Sequence, residues 1–246
     1  MSIETEAELE ALRAAGRVVA EALAAMRGAV CPGATTAELD EVGAEVFRRF
    51  GARSGPQLAY GFPGTNCISV NDEAVHGVPG ARRLRDGDLV KLDVTAELDG
   101  FYADACISVS VGRPRPEAAS LAATARRALE AAIGVARAGT PRNEIGAAVQ
   151  RTVTARGHSI CAELMGHGIG RSLHEPPYVP NFYVGGASQP LTEGLVLTIE
   201  PIVSAGSGAI RTGDDGWTVS TADGALSAHV EHTVVITRGR PLVLTA

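Results

Sequence analysis

Two aspartates, Asp93 and Asp104, are separated by a short segment that reads as a hairpin. Residues 88–94 form one strand, Leu98-Asp99-Gly100-Phe101 carries an Asp-Gly turn signal, and residues 102–109 return. Side chains alternate along a strand, so Val90, Leu92 and Val94 share one face while Asp93 lies opposite with Lys91 and Thr95. On the return strand Ala103, Ala105, Ile107 and Val109 share a face, and Asp104 lies opposite with Tyr102, Cys106 and Ser108. The hairpin therefore brings both carboxylates to the polar face of a half-buried sheet. Adjacent carboxylates repel unless a proton or a cation lies between them. The pair alone fits either a cation site or two solvated acids.

Two further acids follow the same logic. In 195–202, Leu195, Leu197 and Ile199 face one way and Val196, Thr198 and Glu200 the other. In the strand 230–237, Glu231 shares a face with Thr233 and Val235, opposite Val230, His232, Val234 and Ile236. Burying four carboxylates together is costly, and divalent cations are the simplest compensation. Such a site with one imidazole suits paired Mn, Fe, Co or Zn. Of the six histidines, His167 lies between glycines in a loop at 166–170, His174 precedes Glu175-Pro176-Pro177, and His76 precedes Gly77 in a turn-rich loop. His158, His229 and His232 lack comparable surroundings.

The elements that must position these groups are mixed helices and strands. Residues 4–27 form an amphipathic helix with an acidic start, broken at Cys31-Pro32-Gly33. Thr35-Thr36-Ala37-Glu38 is a capping-box pattern that opens a second helix to about Phe50. Residues 57–71 read as a loop and a short strand at 67–71. After the hairpin come a helix over 116–138 and another from Thr140-Pro141, an N-cap with proline at the first position, to about Arg156. Strand-like residues 159–163 lead to the His167 loop, and an irregular loop follows Leu173-His174-Glu175-Pro176-Pro177.

The halves echo each other. Gly33 with Glu38-Leu39 matches Gly139 with Glu144-Ile145 at an offset of 106, and the strand from Gly87 to Asp93 matches that from Gly194 to Glu200 at an offset of 107. A duplicated unit of two helices and strands would set the acids of both copies at a shared centre.

The bulk properties exclude several classes. The chain has 246 residues, 45% apolar, with net charge -6 and no basic cluster, which argues against a nucleic-acid binder. No segment reads as a signal peptide or a membrane span, so a cytoplasmic protein is expected. Cys31, Cys67, Cys106 and Cys161 are widely spaced and read as free thiols.

The motifs together resemble the type I methionine aminopeptidases of the short bacterial form. They comprise residues 71–79, Asp93-Val94-Thr95 with Asp99-Gly100-Phe101 and Asp104, residues 166–171 with His174-Glu175, Thr198-Ile199-Glu200-Pro201, residues 215–219, and Glu231-His232-Thr233. The resemblance runs from the first helix to the C-terminus. It implies an α+β pita-bread fold, two pseudo-twofold-related halves (about 4–112 and 113–246) around a central antiparallel-rich sheet in one catalytic domain, 1–246. It implies two divalent ions (Co, Mn, Fe or Zn) held by Asp93, Asp104, His167, Glu200 and Glu231, with Asp104 and Glu231 bridging. It further implies that His76 contacts the substrate near the scissile amide, that His174 bonds its carbonyl, that Glu200 accepts a proton from water, and that Phe62, Cys67 and Trp217 line the methionine pocket.

The implied activity is removal of N-terminal methionine before a small second residue, from nascent chains or peptides. A monomer with transient ribosome contact and no membrane or nucleic-acid partner goes with it. Leu173, the Ala105-Cys106 pair, and Leu195 with Leu197 depart from the family's usual residues, which bears on the pocket and not on the reaction. A form without an N-terminal zinc-binding or proline-rich extension is expected, and no long insertion of the type II kind lies between His174 and Glu200. A proline-specific aminopeptidase or prolidase of the same fold is the alternative enzyme. A non-catalytic peptide-binding member of the fold is the alternative from another class, one in which ligands are expected to be lost.

Overall fold

The computed structural model describes residues 1–246. The first half runs α1 (Glu6–Ala29), α2 (Thr36–Phe50), β1 (Arg53–Ser54), α3 (Gly55–Tyr60), β2 (Cys67–Val70), β3 (Glu73–Val75), β4 (Leu89–Leu98) and β5 (Phe101–Ser110). The second runs α4 (Pro116–Val135), α5 (Asn143–Thr154), β6 (Ser159–Ile160), β7 (Met165–Gly168), β8 (Glu175–Pro180), β9 (Val196–Ile199), β10 (Ile202–Ser204), β11 (Ile210–Thr212), β12 (Val219–Thr221), β13 (Ser227–His229), β14 (Glu231–Val235) and β15 (Leu242–Val243). The central sheet has the order β1-β4-β5-β14-β9-β7-β8, with β2 added on β4 and β15 on β14. Its pairings are antiparallel, as expected for a sheet built from hairpins.

The alternation read in the hairpin is realised. Asp99 and Gly100 take φ of 51° and 84°, the left-handed pair of a tight hairpin turn. Val90, Leu92, Val94, Ala103 and Ala105 pack against Val18, Val19, Ala22 and Met26 of α1 and Leu39 and Phe47 of α2. In the second half Leu197, Ile199 and Val234 pack against Leu121, Ala125, Leu129 and Ile133 of α4 and Ile145 and Val149 of α5. Helices thus cover the apolar face of each half of the sheet, and the acids are left on the other. That other face is not open to solvent: Asp104, Glu200 and Glu231 are buried and Asp93 is half-buried, because loops and the short strands close over it.

The internal echo has a physical counterpart in paired backbone hydrogen bonds. Gly33 N donates to Leu84 O and Leu84 N to Ala34 O; at the equivalent place Gly139 N donates to Leu191 O and Leu191 N to Thr140 O. The bridges Thr35–Arg83 and Pro141–Pro190 occupy matching positions too. Gly33, Gly139, Gly87 and Gly194 all have φ between 84° and 93°, which explains why glycine stands at both copies of each turn.

Local expectations fare unevenly. The capping box of Thr35 with Glu38 forms, and Gly51 ends α2 in the left-handed conformation. The start of the expected loop, residues 57–60, instead belongs to α3, which is capped by Ser54 with Pro56 in its first turn. The expected N-cap at Thr140 does not form: α5 begins at Asn143 after Arg142, because the backbone of 139–142 bonds to residues 189–191. The helix over 116–138 ends earlier, at Val135. The strand expected over 159–163 shrinks to β6, and β8 runs to Pro180, into the start of the irregular segment expected after Pro177, which otherwise stays irregular to about residue 195. No helix is long and apolar enough to cross a membrane.

Candidate metal centre and substrate pocket

Asp93 and Asp104 are diagonal neighbours in the hairpin: Asp93 pairs with Cys106, and Thr95 pairs with Asp104. β14 pairs with β5 and sets Glu231 opposite Cys106, one step from Asp93. β14 also pairs with β9, which brings Glu200 to the same end of the sheet. Glu200 and Glu231 sit where strands break. The strand expected over 195–202 divides into β9 and β10 around Glu200 and Pro201, since proline has no N–H for a ladder. The strand expected from residue 230 begins at Glu231, and Val230 N instead donates to Pro201 O. The chain crosses between sheets at both places, and the acids are aimed inward at the crossings.

His167 lies on β7 and not in a loop, which corrects the reading of its glycine neighbours. The glycines serve strand packing. A side-chain carbon at Gly166 would lie 2.6 Å from Thr198 O, and one at Gly168 would lie 2.4 Å from Pro176 O. Thr198 ties two candidate ligands together: His167 N donates to its Oγ1 at 3.0 Å, and its hydroxyl donates to Glu200 Oε1 at 2.8 Å. His167 Nδ1 lies 2.9 Å from Gly168 O. A carbonyl can only accept, so Nδ1 holds the ring proton and Nε2 presents its lone pair. That Nε2 is 3.5 Å from Glu200 Oε1.

Asp104 is fixed by its own backbone, which exchanges hydrogen bonds with Thr233 Oγ1 at 2.9 and 2.7 Å. Burial raises the pKa of Asp104 to about 7 and pushes those of Asp93, Glu200 and Glu231 well above the usual carboxylate range. Neighbouring carboxylates add to the rise at Asp93, Glu200 and Glu231. Burial lowers His167 to about 3, so its imidazole is neutral at ordinary pH. Asp104 Oδ1, Glu231 Oε1 and both ring nitrogens of His229 are buried without any hydrogen-bond partner. Orphaned acceptors in a protein interior are rare, and acceptors concentrated here are the donor set of a cation site. The atoms of Asp104, His167 and Glu231 lie within 4.8 Å of one another, and so do those of Glu200, His229 and Glu231.

Above these groups opens a cavity of about 510 Å³. All ten residues expected at the site line it or stand at its floor: Phe62, Cys67, His76, Asp93, Asp104, His167, His174, Glu200, Trp217 and Glu231. Phe62 and Trp217 meet edge to face with ring centres 5.3 Å apart, forming an apolar wall. Cys67 pairs with Asp93 across β2 and β4, and burial pushes its thiol well up, which leaves it an apolar wall residue and not a thiolate. His76 takes a left-handed φ of 56° directly after β3. Its neighbour has to be glycine, since a side-chain carbon at Gly77 would lie 2.3 Å from Ile68 O. His76 and His174 are reached by solvent through the cavity, yet the enclosing protein lowers the pKa of both.

Sequence reasoning missed three contributors. Tyr60, on α3, places its hydroxyl 2.5 Å from His174 Nδ1. Asn181 donates to Glu200 O at 3.0 Å and steadies the strand break. His229 stands beside Glu200 and Glu231. For His229 a signal existed: extending the two-residue alternation one step back from Glu231 puts His229 on the same face.

A buried cluster of acids and an imidazole beneath an apolar cavity, on this fold, defines a metallopeptidase. The sequence profile of metallopeptidase family M24 matches residues 10–238, and the chain belongs to that family. Within it the similarity is to methionine aminopeptidases along the whole length. The methionine aminopeptidase of Clostridium perfringens is 42% identical over 243 residues, covering 99% of this chain and 98% of that protein. The crystal structure of methionine aminopeptidase from Thermotoga maritima superposes with a TM-score of 0.96 at 35% identity, covering 100% of this chain and 99% of that one. The prolidase of Pyrococcus furiosus shares the fold, with a TM-score of 0.77 at 22% identity and 65% of its length covered. The family and pita-bread fold read from the motifs are borne out.

Proposed function

We propose that the protein is a dinuclear metalloexopeptidase that hydrolyses the bond after an N-terminal methionine in peptides and nascent chains. One observation carries the reading. Asp93, Asp104, His167, Glu200 and Glu231 converge at the floor of an apolar cavity, and nothing in the protein satisfies the buried Asp104 Oδ1 and Glu231 Oε1. These residues would hold two divalent ions, with Asp104 and Glu231 shared between them. Carboxylate oxygens with imidazole suit Co, Mn, Fe or Zn. Bound there, the ions supply Lewis acidity and a water of lowered pKa.

The rest of the work falls to the chain. Phe62, Cys67 and Trp217 receive the flexible thioether side chain of methionine. His174 donates to the carbonyl of the first residue. A Tyr60 hydroxyl that donates to its Nδ1 leaves the ring proton on Nε2, the tautomer this role requires. His76, across the cavity mouth, faces the scissile amide and passes a proton to the departing amine. Glu200 accepts the proton of the attacking water, a task suited to a carboxylate whose pKa is raised by burial. The space past the pocket favours a small second residue. Residues 1–246 act as one catalytic domain with halves of about 4–112 and 113–246. We place the protein in the cytoplasm, as a monomer in transient contact with the ribosome.

The test is methionine release from Met-Ala-Ser by chelated protein with and without added Co or Mn, beside an Xaa-Pro dipeptide. Metal-dependent cleavage of Met-Ala-Ser alone is expected. Preference for the Xaa-Pro dipeptide would favour the prolidase reading. Absence of metal-dependent release from protein with intact ligands would refute the enzyme.

A further inference from the structure

His229 is the least explained polar group in the molecule. Its side chain is 2% exposed, and neither ring nitrogen has a hydrogen-bond partner. A phenylalanine or leucine would fill the same space without desolvating two polar atoms, so packing alone gives no reason for an imidazole here. Its backbone is held rigidly: His229 N and O both bond Ser108 Oγ, at 3.0 and 2.7 Å, and His229 pairs with Ile202 in β10. The ring is therefore delivered to a fixed place at the cavity floor.

At that place Nε2 lies 3.5 Å from Glu231 Oε2 and 3.8 Å from Glu200 Oε2. Both separations are too long for a hydrogen bond. They are close to what one ion requires, since two atoms each about 2.1 Å from a tetrahedral ion stand about 3.4 Å apart. The pair His167 Nε2 and Glu200 Oε1 has the same spacing, 3.5 Å.

We propose that His229 is a further metal ligand, binding through Nε2 the ion it shares with Glu200 and Glu231. The inference rests on the dinuclear reading above and changes its ligand set: the ion that Glu200 holds then has two imidazoles, His167 and His229, each 3.5 to 3.8 Å from a Glu200 oxygen. Glu231 is common to the groups Asp104–His167–Glu231 and Glu200–His229–Glu231, so one carboxylate stands beside both imidazoles. A second imidazole moves that ion's preference from oxygen-seeking Mn toward Fe, Co or Zn.

The test loads chelated wild-type protein and a His229→Gln variant with Co(II), measures both affinities by calorimetry, and counts imidazoles by X-ray absorption. Wild type should show one imidazole per cobalt. His229→Gln should show one per two cobalts and bind one of the ions at least about tenfold more weakly. One imidazole per two cobalts in the wild type, a measurement that does not depend on the variant folding, would overturn the inference. So would His229→Gln binding both ions as tightly as wild type. Failure of the wild type to bind cobalt at all would overturn the metal reading itself, a result distinct from either.

Discussion

Metal binding to this site should be strongly linked to protons, and the linkage follows from the burial of its carboxylates. Without metal, Asp104 titrates at about 7, and Asp93, Glu200 and Glu231 are raised well above the usual range. For Asp104 alone, a rise from 3.8 to about 7 corresponds to about 4 kcal/mol favouring the protonated form. In the metal-free fold this group's stabilising contribution is present below the unfolded carboxylate pKa and is lost as pH rises through about 7. Ions bind the deprotonated acids, so they must displace protons at any pH below that. Each proton displaced changes affinity about tenfold per pH unit. His167, lowered to about 3, is already neutral and adds nothing over this range. Calorimetric titration of Co(II) into chelated protein between about pH 5 and 7 should therefore show affinity rising about 100-fold for one proton and about 10,000-fold for two. Repeating it in buffers of different ionisation enthalpy counts the protons directly. An affinity flat with pH, or a heat independent of buffer, would mean that the acids are already ionised and that the burial argument fails.

Three other outcomes follow. Thr198→Val removes the hydroxyl that joins His167 N to Glu200 Oε1; it should cost about 1–3 kcal/mol in urea unfolding and weaken Co(II) binding about 10- to 100-fold. Lys91 is buried behind the site with its ammonium on Asn71 O and Ser227 O, at 2.8 and 3.2 Å, and burial lowers its pKa from 10.5 to about 7. A lowered lysine regains stability as pH climbs from its folded toward its unfolded pKa, so wild type should gain about 2–3 kcal/mol relative to Lys91→Met between about pH 7 and 9; parallel unfolding curves at the two pH values would contradict this. Tyr60→Phe should lower kcat for Met-Ala-Ser about fivefold, the worth of one neutral hydrogen bond, with metal content unchanged.

The hairpin was legible because alternation and an Asp-Gly turn fix register together: once Asp99 and Gly100 turn the chain, the faces of Asp93 and Asp104 follow. The duplicated unit was legible for a related reason, since glycine recurs where the same backbone turn recurs. What sequence hid depends on contacts between segments far apart. His167 looked like a loop residue because its glycines answer to the carbonyls of Thr198 and Pro176, which periodicity cannot show. Glu200 and Glu231 were read within continuous strands, although the crossings between sheets divide them there. Thr140 failed as a cap because its backbone is bound by residues from 189–191. His229 was passed over because its importance lies in what it lacks, a partner for either nitrogen, and that is visible only once the interior is packed.

The central claim is that buried acids and imidazoles on this sheet hold the metal that cleaves N-terminal methionine. The most direct measurement titrates Co(II) or Mn(II) into chelated protein and follows methionine release from Met-Ala-Ser alongside bound metal. Release should be absent without metal and rise with occupancy of the site, and Asp104→Asn, which alters the carboxylate proposed to be shared, should lose both together. Full release from metal-free protein, or an Asp104→Asn variant that keeps its metal and its activity, would contradict the account.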